Sequence, residues 1–320
     1  MNVERQKFLE RRRGSIGGSD LAAICGVSRF KTPYDVWLDK RGEGQETDPD
    51  NQFTYWGNVL EDVVAREYSI RTGQKIQRVN AQMVHPDAPF LHANIDRAVV
   101  NPDIAGRVAW KDGRLTTDRI LECKTANGFA AALWGDEGTD AVPDEYFIQC
   151  QLYMSITQAD HADVAVLIGG NDYRVYHIER NEALMADLMA EAEAFWKLVQ
   201  DGIAPDPQSI ADAQKRWPKH IASKQAVATT AAVLAVDELD AIKDQMKALE
   251  AREDALKLQI MEEMKDAEVL TDMGDPLVTW KAQSADRIDT KALRKDHPNI
   301  ATLYTKTTHS RVMRLKSKKD

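Results

Sequence analysis

The run Ile120-Leu121-Glu122-Cys123-Lys124-Thr125-Ala126 constrains the fold more than any other stretch of the chain. Apolar residues on both sides of the charged pair predict an inner strand, because a strand with one face in water alternates apolar and polar residues. Residues i and i+2 of a strand share a face, so Glu122 and Lys124 project together while Cys123 points the other way. Burying one charge is costly, and burying two requires that they be paired and put to use. Upstream, Leu91-His92-Ala93-Asn94-Ile95-Asp96-Arg97 sets Asp96 among apolar neighbours on another expected strand. Two acids and a lysine are thereby expected to converge from adjacent strands. A plainer alternative is a solvated Glu–Lys pair on an exposed strand, worth little. The apolar flanks weigh against it.

The 320 residues predict one large domain, or one domain with an appendage. A helix with Ser19 or Asp20 as its cap is expected after the Gly-rich loop Arg12–Gly18, and a second behind Pro33. Trp56, Val59, Leu60, Val63, Val64 and Tyr68 repeat at helical spacing until Gly73. A short helix is expected over residues 1–13 and a polar loop over residues 43–52. Strand-forming segments follow over residues 75–84, 89–100 and 107–126, with a turn at Asp112-Gly113. A helix over residues 143–157, a hairpin around Gly169-Gly170 and an amphipathic helix over residues 183–199 complete this part.

The Pro-bearing segment Ala204–Ser209 marks an expected boundary, dividing a core of residues 1–204 from a module of residues 205–320. In that module Ala235, Leu239, Ile242, Met246, Leu249, Leu256 and Ile260 form a heptad-like seam on a long helix, interrupted at Glu253. Net charge is −9, yet Leu277–Asp320 holds eleven Lys/Arg against four Asp/Glu. The basic end is expected to contact DNA or a partner protein. Acidity of the whole chain argues against a protein that coats nucleic acid, but not against an enzyme that confines its cations to a channel. No apolar run approaches a membrane span, and neither a membrane partner nor a secretory leader is expected. Cys25, Cys123 and Cys150 form no CxxC pair, so zinc and iron–sulfur ligation are not expected and a reducing cytoplasm is.

An acid pair with a lysine suits metal-assisted phosphodiester hydrolysis. Carboxylates offer Mg²⁺ the hard oxygens it requires, and the ammonium orients water and offsets growing negative charge. Glu61 on its helix is a candidate third carboxylate, against the ordinary alternative of an exposed helix acid. Gln149 and Tyr153 share one helical face, with Gln151 on another. Arg12, Ser19 and the backbone of the Gly-rich turn are candidates for holding a phosphate.

In order along the chain stand R-x-G-x-x-G-G-S-D at 12–20, W-G-x-x-x-E at 56–61, Asp96, E-C-K at 122–124 and Y-x-x-Q-x-Q-x-Y-M at 146–154. This series resembles the YqaJ-type viral recombinase nucleases, relatives of lambda exonuclease within the PD-(D/E)xK superfamily, over about residues 8–200. The resemblance implies an α/β fold: a restriction-endonuclease-like core with a mixed central sheet flanked by helices, here followed by a C-terminal module with a long helix. It also implies a Mg²⁺-dependent 5′-to-3′ exonuclease, with Mn²⁺ as a substitute, acting on double-stranded DNA ends and leaving 3′ single strands for an annealing protein. By the same resemblance Asp96, Glu122, the Cys123 carbonyl and Glu61 would hold metal. Lys124 would position or activate water, Gln149 would support the site, and Arg12 and Ser19 would hold the DNA 5′-phosphate. A homo-oligomer, first of all a trimeric ring, in a bacterial or phage-infected cytoplasm would follow. An endonuclease of the same superfamily and a non-catalytic DNA- or partner-binding protein are the alternatives. The Asp96–Glu122 spacing exceeds that of the shortest relatives, and Asn94 stands where the best-known one has a serine.

Overall fold

The structure is a computed structural model that describes residues 12–44, 51–81, 83–308 and 310–316. The helix expected over residues 1–13 falls outside the described residues except at its end, as do residues 45–50 of the polar loop and 317–320 of the basic tail. The chain forms two compact units, Met1–Arg216 and Trp217–Asp320.

The first unit opens with helix α1, Gly18–Ile24. Its cap is Gly17 rather than Ser19 or Asp20: Asp20 lies inside the first turn and accepts from the Gly17 N–H at 3.3 Å. Helix α2, Pro33–Arg41, has Thr32 as its cap and the left-handed Gly42 at its end. Helix α3 spans Gln52–Thr72 and stops at Gly73, φ 71°. Short strands follow: β1 Ile76–Gln77, β2 Met83–Val84, β3 His92–Ala93 and β4 Arg97–Val99. The longer strands expected over 75–84 and 89–100 are therefore broken, and Asp96 lies in a bend just before β4 rather than within a strand. Strands β5, Trp110–Lys111, and β6, Arg114–Leu115, form a hairpin across Asp112 and Gly113. Both turn residues have positive φ, as a tight hairpin turn requires. Then come β7 Arg119–Ala126, a 3-10 turn over Gly128–Leu133, α4 Asp144–Thr157, β8 His161–Ile168, β9 Asp172–Glu179, α5 Glu182–Asp201 and α6 Ile210–Arg216.

The main sheet has the order β1-β4-β7-β8-β9. Only β7 and β8 run parallel, with α4 as the crossover that parallel neighbours need. One sheet face, with Ile120, Val164 and Val166, packs with apolar residues of α1, α4 and α5. The opposite face, with Val99, Leu121 and Ala165, is covered by Val64 and Tyr68 of α3, and Cys123 packs there. The fold is thus α/β, a mixed central sheet with helices on both faces. α3 departs from its expected seam: Val64, Ala65 and Tyr68 are buried, but Trp56, Val59 and Val63 are exposed. α3 lies chiefly over β7 and β8, and Val64 and Tyr68 join the apolar cluster there while Trp56, Val59 and Val63 stay outside it.

The compact unit runs past the expected boundary at 204, because α6 belongs to it. Asp212 is fully buried and accepts from Thr32 Oγ1 at 2.9 Å and from the Gln208 N–H at 3.1 Å, while Lys215 pairs with Asp35. The second unit holds α7, Thr230–Met264, capped by Thr229, then a β10–β11 hairpin of Val269–Asp272 and Asp275–Thr279. Two short helices follow, α8 Thr290–Asp296 and α9 Pro298–Leu303. Among the described residues no helix is long and apolar enough to cross a membrane.

Candidate active site

Strand β7 delivers Glu122 and Lys124 to the α4 face of the sheet, opposite Val164 and Val166 of β8. Glu122 is 1% exposed, and Lys124 Nζ donates to its Oε2 at 2.9 Å. Asp96 reaches the same point from the bend before β4. Its Oδ2 accepts the Cys123 N–H at 2.8 Å, and its own N–H approaches Glu122 Oε1 at 3.4 Å. The three expected side chains therefore meet, and the backbone of Cys123 enters through its N–H.

From above, α4 contributes Gln149, whose Nε2 donates to Glu122 Oε2 at 3.1 Å and lies 3.2 Å from the Tyr153 hydroxyl. Glycine 18 explains how α1 and α4 come so close. A Cβ there would stand 2.5 Å from Gln149 Cγ and 3.0 Å from its Cα, so the contact needs a residue without a side chain. Gln151, on another face of α4, is wholly buried. It ties the backbone of β9 to the start of α5, donating to Glu179 O and accepting from the Asn181 N–H, both at 2.8 Å.

Electrostatics follows from this burial. Loss of water, then the neighbouring Asp96 charge, pushes the Glu122 carboxyl up to about 7, although Lys124 works against the shift. Asp96 is also raised, by burial first and in part by Glu61, with Lys124 again opposing. Burial disfavours the Lys124 ammonium, but Glu122 and Asp96 outweigh it and hold the charge on the lysine. The Tyr146 ring lies 5.2 Å from Nζ and gives the cation an aromatic face. A single ammonium thus faces two crowded carboxylates.

Glu61 is near enough to influence Asp96, yet it is not drawn onto the acid pair. Arg97 Nη1 holds its Oε1 at 2.6 Å, and Arg78 Nη2 adds a contact at 3.0 Å. Arg97, which is buried in β4 and also engages Asp62, escaped the sequence reading. Its signal was a charged residue directly beside Asp96 in an apolar run. Among the described residues no three His, Cys, Asp or Glu side chains are gathered tightly enough to form a ligand set by themselves.

Beside the acids opens a hollow of about 680 Å³ lined by Arg12, Ser19, His92, Asn94 and Tyr153 among others. Arg12 and Ser19, singled out together from sequence, thus border one cavity, and Ser19 is exposed to it. A buried ion pair stands behind this wall: Lys40 Nζ lies 2.6 Å from Asp20 Oδ2 and 2.8 Å from the Arg12 carbonyl it donates to. Burial would raise the Asp20 carboxyl, but Lys40 and then Arg12 hold it below its ordinary value. Burial, then the Lys40 charge, lowers His92, which keeps its ring neutral. Lys40 and His92 were missed because α2 and β3 give no local sign of facing the Gly-rich turn.

The model of the YqaJ-like viral recombinase domain matches residues 7–160. The chain is 36% identical over 317 residues to the uncharacterized protein YqaJ of Bacillus subtilis (strain 168), covering 97% of this chain and 93% of that one. It is 24% identical over 158 residues to the uncharacterized protein R354 of Acanthamoeba polyphaga mimivirus, covering 49% and 28%. Among solved structures it is similar to the alkaline exonuclease LHK-Exo from Laribacter hongkongensis, with a TM-score of 0.47 and 20% identity over 62% of this chain and 94% of that one. A phage related exonuclease from Haemophilus somnus 129PT gives a TM-score of 0.41 and 15% identity over 59% and 95%.

Proposed function

This chain belongs to the YqaJ-like viral recombinase family, and from that premise we propose that its first unit is a metal-dependent deoxyribonuclease that degrades duplex DNA from its ends. The observation that carries the proposal is the gathering of Asp96, Glu122 and Lys124 about one buried point: Lys124 donates to Glu122, the Asp96 N–H approaches the same carboxylate, and the Asp96 carboxylate accepts the Cys123 N–H beside it. Two carboxylates raised chiefly by burial, beside one ammonium, leave a deficit of positive charge. Their hard oxygens match Mg²⁺, which takes one or two carboxylates and completes its shell with water and phosphate oxygens. That preference fits a donor set in which only two acids converge. Asp96 and Glu122 would hold the ion, and the Cys123 carbonyl and Glu61 are the further donors proposed from the family pattern. Mn²⁺ is the expected substitute.

The bound ion would supply Lewis acidity at the scissile phosphate. The residues of this chain do the rest. Lys124, kept charged by its acids, donates toward the attacking water and the developing charge. Gln149 adds a second donor, at 3.1 Å, to the Glu122 oxygen that Lys124 already holds, so the carboxylate keeps one orientation. Arg12 and Ser19 would receive a terminal 5′-phosphate in the adjoining hollow, which favours a free end over an internal bond. Hydrolysis from the 5′ end would leave a 3′ single strand suited to an annealing partner.

The test is digestion of linear duplexes labelled at one 5′ or 3′ end, bearing phosphate or hydroxyl, with Mg²⁺ or with EDTA. Release from 5′-phosphorylated ends, lost in EDTA and lost in Glu122→Gln and Lys124→Ala, supports the proposal. Equal cleavage of covalently closed circles would make the enzyme an endonuclease, and activity unchanged in both variants would remove the site altogether.

A further inference from the structure

We propose that α7 pairs with α7 of a second copy of this chain, in antiparallel orientation. Ala235, Leu239, Ile242, Met246, Leu249, Glu253, Leu256 and Ile260 step alternately by four and three residues, a strict 3.5-residue period over most of the helix. A straight amphipathic surface helix follows 3.6, whereas 3.5 is the period of a helix that supercoils around another helix. The seam lies open. Ile242, Met246, Leu249 and Leu256 are 42%, 54%, 63% and 53% exposed, an apolar stripe that monomeric proteins seldom leave uncovered.

Side-chain size and charge along the seam select a second copy, and they select its direction. The N-terminal end is lined by small residues, Ala232 and Ala235, and the C-terminal part by Leu256 and Ile260. Antiparallel pairing sets Ala232 against the partner's Leu256 and Ala235 against the partner's Glu253. Leu239 then meets the partner's Leu249, and Ile242 the partner's Met246. Parallel pairing would instead stack alanine on alanine and Glu253 on Glu253. Glu253 already turns toward the flank of its own helix, where it pairs with Lys257 at 2.6 Å. The same antiparallel register brings Glu238 beside the partner's Arg252 at both ends of the pair, against a single approach of Lys243 to the partner's Lys243 at the two-fold axis. Because an isologous two-fold interface repeats every contact, each attraction occurs twice. In a parallel pair Arg252 would face the partner's Lys257, a repulsion.

This inference does not rest on the proposed nuclease chemistry, and its test needs no substrate. Sedimentation of the full chain over a range of concentrations gives the dissociation constant for pairing. Glu238 and Arg252 are exposed and have no oppositely charged neighbour one turn away on their own helix, so exchanging them leaves the fold intact. Arg252→Glu and Glu238→Arg are each expected to weaken pairing by roughly ten-fold, and the double variant to restore it. Leu249→Asp is expected to weaken it further still. Tighter pairing in Arg252→Glu would mean a parallel coil and overturn the proposal. So would a double variant as weak as the singles, or an assembly mass that Leu249→Asp leaves unchanged.

Discussion

Glu122 makes this a fold that weakens as one of its buried acids ionises. The carboxyl is buried and raised from an ordinary 4.5 to about 7, by burial first and by Asp96 second. Below pH 4.5 it is protonated in both the folded and the unfolded chain, and its full stabilising contribution is present. Between 4.5 and 7 the unfolded chain has released the proton and the folded chain still holds it, so stability falls as pH rises. Above 7 the loss is complete. At about 1.4 kcal/mol per pH unit, the interval is worth about 3 kcal/mol. For a unit of this size that corresponds to roughly 6–12 °C in melting temperature. Thermal or urea unfolding in EDTA, followed by circular dichroism from pH 5 to 8.5, measures it. Other groups titrate over the same range, so the informative quantity is wild type compared with Glu122→Gln. The variant is expected to lose most of the downward slope and, at pH 8, to match or exceed wild type. Mg²⁺ at pH 8 is expected to stabilise wild type more than the variant. Parallel pH profiles for the two proteins would refute the placement of an ionisable, uncompensated acid at this point.

Lys40→Met leaves Asp20 buried without its 2.6 Å partner, and is expected to cost about 3–5 kcal/mol in urea unfolding at neutral pH. Gly18→Ala forces a methyl against the Gln149 backbone and side chain. A loss of about 1–3 kcal/mol is expected, and with it reduced cleavage even at temperatures where the variant remains folded. Arg12→Ala is expected to raise the KM for 5′-phosphorylated ends by roughly ten-fold or more while leaving 5′-hydroxyl ends nearly unchanged, since only the former need a charge-assisted contact. A chain ending after Arg216 is expected to fold with a cooperative melt. Ending it at 204 removes Asp212 from beneath Thr32, and it is expected to melt lower.

What could be read along the chain was whatever a short stretch of backbone enforces by itself. The two-residue period of a strand put Glu122 and Lys124 on one face and Cys123 on the other, whatever the rest of the molecule did. Pro33 marked the start of α2, Gly73 the end of α3, and Asp112-Gly113 made the hairpin turn, because φ restriction and positive φ are local matters. Asp96 was legible as a member of the site but not as a bend residue, since the break before β4 depends on where β7 lies. Only the tertiary structure decided what each charge is paired with. It gave Glu61 to Arg97 and Arg78, set Lys40 behind Asp20, and drew Gln149 onto Glu122 through the close approach at Gly18. It also assigned α6 to the first unit. Coulombic partners and desolvation are set by distance in space, and residues on separate elements carry no local mark of the contact they will make.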